Sequence, residues 1–266
     1  METITKITKD KGQFYLIWLS SGEKLRVSED TLVRQRLLKD QELTEEMIEK
    51  IKKAGSYDVG LQLSLNYLSY QLRSKKEILD YLKEKEILPE DRKKIVFRLE
   101  EMNLLDDKTY SESYVRTLVR TSDKGPKMIE QQLKRKGLND EDIQHGLVLY
   151  TMEEQIEVAK AGGAKAMKRY RAKSFNDALQ KVQMHLMQKG FNREVIDLAL
   201  EELSFEKDED QELEAIKKEG DKLWERNRKL EPAKRRLKVK QSLYQKRFDL
   251  DSIQQYINEK ELEDEE

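Results

Sequence analysis

The stretch Leu104–Leu138, LLDDKTYSESYVRTLVRTSDKGPKMIEQQLKRKGL, opens with two aspartates, turns almost wholly basic, breaks at Lys124-Gly125-Pro126 and closes on Lys136-Gly137-Leu138. Its second half carries a frame. Ile129 and Leu133 are four residues apart, which is one helical face, and Leu138 follows five residues later, where a turn would fold it over that face. The same frame stands at Ile78, Leu82 and Ile87, at Val182, Leu186 and Phe191, and at Val239, Leu243 and Phe248. The four turn residues are separated by 51, 53 and 57 positions.

The agreement extends to both sides. Past the turn, Asn139, Asn192 and Asp249 are residue types that favour helix N-caps, and Ile143, Ile196 and Ile253 follow at equal distance. The first copy departs here, with Leu88-Pro89 and Arg92, so its third helix is expected to start one residue later. Upstream, Gly163 and Gly220 precede their turn residue by 28, where Tyr110 and Val59 hold the same place; Leu63, Tyr114, Met167 and Trp224 align four residues on.

Each unit is therefore three helices in about fifty residues, within the range of stacked helical repeats. One unit has no partner for its apolar face, and a row of them buries it. The fold expected is mainly α: an elongated, curved solenoid of tandem three-helix repeats behind a small N-terminal β-hairpin and helix segment. The divisions fall at residues 1–58 for the N-terminal segment, then 59–103, 104–151, 152–204 and 205–266 for repeats one to four, the last with an acidic tail. Between the last two repeats EKDEDQELE reads as an acidic helix start or linker, and ELEDEE at the end as a frayed tail.

In the N-terminal segment, GQFYLIWLSSGEKLRVS reads as strands over 14–19 and 24–27 joined by Ser20-Ser21-Gly22. Both faces of the first strand are apolar, with Phe14, Leu16 and Trp18 on one side and Tyr15, Ile17 and Leu19 on the other. A lone hairpin is marginal in water, so Ile4–Ile7 is expected as a third strand, leaning on a helix. Ser28-Glu29-Asp30-Thr31 caps a short helix carrying Leu32, Val33, Leu37 and Leu38, and Thr44-Glu45-Glu46 starts another with Met47, Ile48 and Ile51 inward.

Composition agrees with thin helical layers: among 266 residues, 37% are hydrophobic and 39% charged, with 3 Pro and 11 Gly. Cysteine is absent, so nothing implies an oxidising compartment, a thiol nucleophile or a sulfur-ligated metal site. METITKITKD lacks the apolar stretch of a signal peptide, and no run approaches a membrane span, so a cytoplasmic monomer without membrane contact is expected.

Net charge is only −1, but its sign is segregated. Residues 113–136 hold seven basic and two acidic side chains, 160–173 hold six basic and no acidic ones, and 222–247 hold eleven basic and two acidic ones. Charge runs are usually solvated helix faces. On corresponding helices of a solenoid, however, they would line up as a stripe suited to a nucleic-acid strand or a filament built on one. The candidate binding residues are Arg73, Arg116, Arg120, Lys124, Lys127, Lys134, Arg135, Arg169, Arg171, Lys173, Arg235, Arg236, Lys238 and Lys240.

Catalysis finds no support. His145 and His185 lie 40 residues apart in different repeats, no phosphate-binding GxxxxGK[ST] loop occurs, and Gly162-Gly163 has neither that spacing nor a preceding strand. Tyr67, Tyr110, Tyr114 and Trp224 sit at core spacing, which favours packing over base stacking. No enzyme, cofactor or metal is expected.

LSYQLRSKKEILDYLKEKEI (68–87), LLDDKTYSESYVR (104–116) and KGPKMIEQQLKRKGL (124–138) resemble the successive signatures of the RecX family, regulators of the RecA recombinase. The places at issue are Ser74 and Glu77, Asp106, Asp107 and Tyr110, and Gly125 and Pro126; Ser111 stands where alanine is common. The clear match covers about residues 59–147, with weaker copies beyond. The resemblance implies a chain of three-helix repeats whose longer members add a fourth unit and an N-terminal β segment. It also implies a protein that lies along a RecA–DNA filament and dampens recombinase, ATPase and co-protease activity, tuning DNA repair and the SOS response. Single- or double-stranded DNA would then be a second partner. The other reading is a stand-alone DNA-binding repeat protein that uses the basic stripe alone.

The motifs themselves have structural explanations. Ser74 to Glu77 is a capping box, and Asp106-Asp107 places acceptors at a helix start, worth around 1 kcal/mol, rather than a catalytic pair. Pro126 suits a first helical turn. The cations are what folding leaves unexplained.

Overall fold

A computed structural model describes residues 1–10, 12 and 14–265. Strands β1 (Glu2–Lys9), β2 (Phe14–Leu19), β3 (Lys24–Ser28) and β4 (Glu42–Leu43) form an antiparallel sheet of order β3-β2-β1-β4. The third strand expected from Ile4–Ile7 is β1; β4 (Glu42–Leu43), two residues on its outer edge, has no signature of its own. Gly22 turns the hairpin at φ 87°, a conformation that favours glycine. One sheet face buries Ile4, Ile17, Leu19, Leu25 and Val27 against Leu37, Leu43, Ile48 and Ile51. The other face is shared out: Phe14 enters the core of the first repeat, while the Lys24 ammonium covers the Trp18 ring at 4.0 Å.

Ser28 caps α1 (Glu29–Arg34), as its sequence indicates. This helix is shorter than the apolar residues suggest, because Arg36 adopts a left-handed φ of 48° and ends it. Leu37 is buried, but Val33 and Leu38 are 65% and 69% exposed, so the four-residue apolar face read for this helix does not form. Thr44 caps α2 (Glu45–Leu68), which buries Ile48 and Ile51 but leaves Met47 exposed. This helix runs for 24 residues without a break at the expected 58/59 division. Its two glycines mark close approaches: a Cβ at Gly55 would lie 3.1 Å from the Arg26 carbonyl, and one at Gly60 would lie 2.5 Å from Ile95 Cδ1. One half of α2 thus backs the sheet and the other half opens repeat one.

The helices then follow in threes. Repeat one adds α3 (Lys75–Glu84) and α4 (Pro89–Glu101); repeat two is α5 (Asp107–Thr121), α6 (Pro126–Arg135) and α7 (Asp140–Leu147). Repeat three is α8 (Met152–Tyr170), α9 (Phe175–Gln188) and α10 (Arg193–Leu203); repeat four is α11 (Glu209–Arg226), α12 (Pro232–Gln245) and α13 (Leu250–Glu265). The described residues fall into two compact units, Met1–Tyr114 with Gln132–Gly146 and Val115–Gln131 with Leu147–Glu266, so the division passes through α5 and α6.

The recurring frame has a single geometric cause. In every repeat the residue before the turn residue is left-handed: Glu86 at φ 57°, Gly137 at 86°, Gly190 at 93° and Arg247 at 66°. The turn residue's N–H then bonds back to the carbonyl of the leucine five positions earlier: Ile87 to Leu82, Leu138 to Leu133, Phe191 to Leu186 and Phe248 to Leu243. This is the Schellman closure, and its characteristic contact between the turn residue and the last helical turn explains why both are buried. Ile78, Leu82, Ile129, Leu133, Val182, Leu186, Val239 and Leu243 are at most 1% exposed.

Two expectations need correction. The third helix of repeat one starts no later than the others, because Pro89 directly follows the Leu88 cap position just as Asp140 follows Asn139. Proline at the first helical position needs no N–H partner, so Leu88 works without a side-chain cap. The acidic end is not frayed either: α13 extends through Glu265, with Asp264 hydrogen-bonded to Trp224 Nε1, while Glu266 lies outside the described residues. The other acidic segment is a helix start, since Asp208 accepts the Gln211 N–H at 3.1 Å.

Neighbouring repeats join by one device. Ser74 caps α3 and donates its hydroxyl to the Lys136 carbonyl at 2.7 Å; Ser174 caps α9 and donates to Lys246 O at 2.6 Å. The next N–H in each case goes to a carboxylate of the following repeat, Lys75 N to Asp107 at 2.9 Å and Phe175 N to Glu212 at 2.8 Å. Between repeats two and three, Gly125-Pro126 replaces this pair: Gly125 N donates to Lys189 O at 2.8 Å, and Pro126 has no N–H to satisfy. A Cβ at Gly125 would fall 2.6 Å from the backbone of Gly190 and Phe191.

Candidate polyanion interface

Within the first unit the candidate cations are in different settings. Arg73 holds its guanidinium 3.9 Å from the Tyr67 ring, whose other face stacks on Tyr81 at 4.2 Å. Lys134 is exposed and lies 3.3 Å from Asp140, and Arg135 is exposed at the end of α6. Lys136, in the same basic run, is held by Glu77 at 2.7 Å; burial alone would lower its pKa, and Glu77 and Tyr110 more than reverse that, keeping it charged. The adjacent aspartates are pushed in opposite directions. The Thr109 hydroxyl, above all, holds Asp106 below the usual range, while burial raises Asp107 despite its bond to Lys75 N. Both are helix caps, one for its own helix and one for its neighbour's.

The second unit gathers cations at the surface. Arg116 and Arg120 are exposed one turn apart on α5, and Lys127 is exposed on α6; Lys124 is half-buried, its carbonyl accepting the Tyr150 hydroxyl. Arg120 shares a cleft of about 630 Å³ with Lys165 of α8. At the α8–α9 turn, Lys168, Arg169 and Arg171 face Lys218 of α11 across a cleft of about 320 Å³ in which Glu214 is the acidic side chain. Among the described residues, Lys168, Arg169 and Lys218 form no ion pair. An adjoining cleft of about 240 Å³, sharing Ala172 and Lys218, is lined by Lys173, Lys222 and Lys246 with Asp177 and Glu219. The positive field is felt nearby: burial lowers the pKa of His185, and Lys189 and Arg169 lower it further.

On α12 of the fourth repeat the cations are bound by neighbouring groups to different degrees. Arg235 donates Nε to the Trp224 carbonyl, stacks 4.2 Å from the Trp224 ring and pairs with Asp264, leaving its side chain 14% exposed. Arg236 pairs with Glu261 at 3.2 Å, Lys240 donates to Gln254 at 3.1 Å, and Lys238 is exposed. Arg169, Arg171 and Lys173 are thus brought together, whereas Arg235 and Arg236 join neither cleft. The sequence reading missed Lys168, Lys218, Lys222 and Lys246 as partners of that group. The spacing of Lys218 and Lys222, four apart on one helix, was the available signal.

Other chemistry is sparse. His145 Nε2 lies 2.6 Å from Glu112 in an exposed pair. Among the described residues no group of three or more His, Cys, Asp or Glu side chains is arranged to hold a metal, and no helix is long and apolar enough to cross a membrane.

Family models for RecX match most of the chain: the first three-helix domain at residues 61–99, the second at 106–147 and the third twice, at 153–200 and 209–257. "Regulatory protein RecX" of Enterococcus faecalis is 69% identical over 266 residues, covering all of both chains. The protein of the same name from Levilactobacillus brevis is 37% identical over 255 residues, 96% of each chain. A solved structure described as regulatory protein RecX superimposes with TM-score 0.59 at 36% identity, over 76% of this chain and all of that one. RecX from Lactobacillus salivarius gives TM-score 0.53 at 39% identity, over 56% of this chain and 96% of that one. Repeats, joints and relatives agree, and the chain belongs to the RecX family.

Proposed function

We propose that this chain is a non-enzymatic regulator that binds RecA–DNA filaments in the cytoplasm as a monomer. In this reading it inhibits recombinase, ATPase and co-protease activity and so tunes DNA repair and the SOS response. The relatives named as regulatory proteins support the class. The observation that carries the binding mode is the α8–α9 turn with α11, where Lys168, Arg169, Arg171 and Lys218 line a cleft against one carboxylate. Such a surface gains most from a polyanion, because released counterions add to direct attraction. Arg116, Arg120 and Lys127 extend it within the same unit.

The test is co-sedimentation with recombinase filaments on single-stranded DNA, beside bare DNA, across a salt series. Lys168→Glu with Arg169→Glu and Arg171→Glu should weaken filament binding and flatten the log–log salt dependence by roughly one unit per lost phosphate contact. Inhibition of strand exchange and of the DNA-dependent ATPase should fall in parallel. Reversal of Glu45, Glu46 and Glu49, on α2, should change neither. Equal binding to bare DNA and to filaments would identify a plain DNA binder, and undiminished inhibition by the reversed variant would reduce the basic surface to a solvated face.

A further inference from the structure

The acidic C-terminal end of α13 lies against the most basic helix of the chain, and the contact is built unlike the rest of the repeat. The first turns of α13 are anchored by Ile253, Tyr256 and Ile257, all buried. Among the described residues beyond Ile257 none is fully buried, and polar contacts to α11 and α12 hold those turns, including that of Lys260 with Asp221 at 3.0 Å. Asp264 accepts from Trp224 Nε1 at 3.1 Å and also engages Arg235; Glu261 pairs with Arg236 at 3.2 Å and Glu259 with Lys217 at 3.4 Å. The Glu261–Arg236 and Glu259–Lys217 pairs lie at the surface, individually weak and screened by salt, while Arg235 in the Asp264 pair is more enclosed. The last turns can therefore leave without disturbing the core that holds the first ones.

Arg235 does not depend on the tail for its position, since Nε is fixed on the Trp224 carbonyl and the guanidinium on the indole. If the tail leaves, a pre-positioned arginine is exposed next to Arg236 and Lys238. Row for row, the tail supplies carboxylates where a phosphate backbone would supply its own anions.

We infer that the end of α13, residues 259–264, is an internal polyanion mimic that masks α12 and is displaced when nucleic acid binds. This rests on the reading of the basic surface as polyanion-binding and adds to it a competition: the α8–α9 cations are open at all times, and those of α12 only after exchange of tail for phosphate. The tail then sets a threshold, because binding through α12 must first replace contacts already made.

The probe is a fluorescein-labelled single-stranded oligonucleotide, followed by anisotropy from 50 to 300 mM salt, roughly the range in which phosphate contacts are most salt-sensitive. Glu261→Gln with Asp264→Asn should bind about tenfold more tightly at the low-salt end and steepen the slope by about two units, one for each arginine released. Adding Arg236→Gln and Lys238→Gln, both exposed positions, should remove most of the gain. In a Trp18→Phe background Trp224 is the remaining indole, so the oligonucleotide should shift its emission in the parent, and Asp264→Asn should show the shifted emission without nucleic acid. Parental affinity, slope and emission in the neutralised-tail variant would overturn the mimic. If that result came while the Lys168, Arg169 and Arg171 reversals still weakened filament binding, the functional reading would survive alone. Absence of oligonucleotide binding by parent and neutralised-tail variant alike would overturn the mimic, while co-sedimentation with filaments decides the functional reading separately.

Discussion

Replacing Gly220 by alanine sets two magnitudes against each other. The residue lies inside α11, where alanine is favoured over glycine by about 1 kcal/mol. A Cβ there, however, would sit 2.4 Å from Tyr256 Cζ and 2.5 Å from Cε1. Carbon atoms rest near 3.5–4.0 Å, so the ring has to retreat by about 1 Å. Tyr256 is 2% exposed and its hydroxyl donates to Asp221 at 2.9 Å, so the displacement overpacks the core and breaks that bond. Overpacking costs about 1–3 kcal/mol and a hydrogen bond to a charged group about 1.5–3, which leaves a net loss of roughly 1.5–5 kcal/mol after the propensity gain. Gly162 is the control. It is also mid-helix, in α8, but its Cβ would meet Leu186 Cδ2 at 3.4 Å, an ordinary contact. There propensity wins, and Gly162→Ala should stabilise by about 0.4–1 kcal/mol. Urea unfolding followed by circular dichroism measures both, and hydrogen exchange should place the Gly220→Ala loosening in α11–α13, because repeats contact mainly their neighbours. If Gly220→Ala unfolded at or above the midpoint of the parent, the packing of Tyr256 on the α11 backbone would be wrong.

Leu133→Ala, Leu186→Ala and Leu243→Ala remove the same interior residue from three repeats, each expected to cost about 2–5 kcal/mol in chemical unfolding; parental stability in all three would break the equivalence of the frames. Arg247→Gly places glycine where repeats two and three already have it, and relief of the left-handed strain should raise stability by about 0.5–1 kcal/mol in the same assay. Burial alone would raise the pKa of Asp249, but the Ser252 amide and hydroxyl and Lys207 hold it at about 2. Because the folded value lies below the unfolded one near 3.9, its contribution is present above about pH 4 and lost as the pH falls through 2. Thermal melts of Asp249→Asn should therefore lie below the parent at neutral pH and converge on it near pH 2.

The repeat was legible because what writes it is local. A Schellman turn fixes the distance between the last buried leucine and the residue that closes over it, and the cap after the turn fixes the next helix start, so Leu82-to-Ile87 and its three counterparts share one spacing. The capping box at Ser74 and the N-caps at Asn139, Asn192 and Asp249 are equally short-range. Where a local signal can be met in two ways, the chain text misleads. The division expected at 58/59 falls inside one continuous helix, where Gly55 and Gly60 let α2 press on the sheet and on α4. Leu88-Pro89 looks like a delay and is a different way to start at the same place.

Which cations remain available is not written locally at all. Lys136 and Arg235 read in sequence like Arg169, each one member of a basic run. Lys136 is neutralised by Glu77, 59 residues away, and Arg235 by Asp264, 29 residues away, whereas Lys168, Arg169 and Lys218 converge without an ion-pair partner among the described residues. Residue order is enough to specify helices, turns and a repeat, because those depend on neighbours within one or two turns. Charge availability depends on what folding brings within about 4 Å, the range over which an ion pair forms, and chain order does not contain that distance.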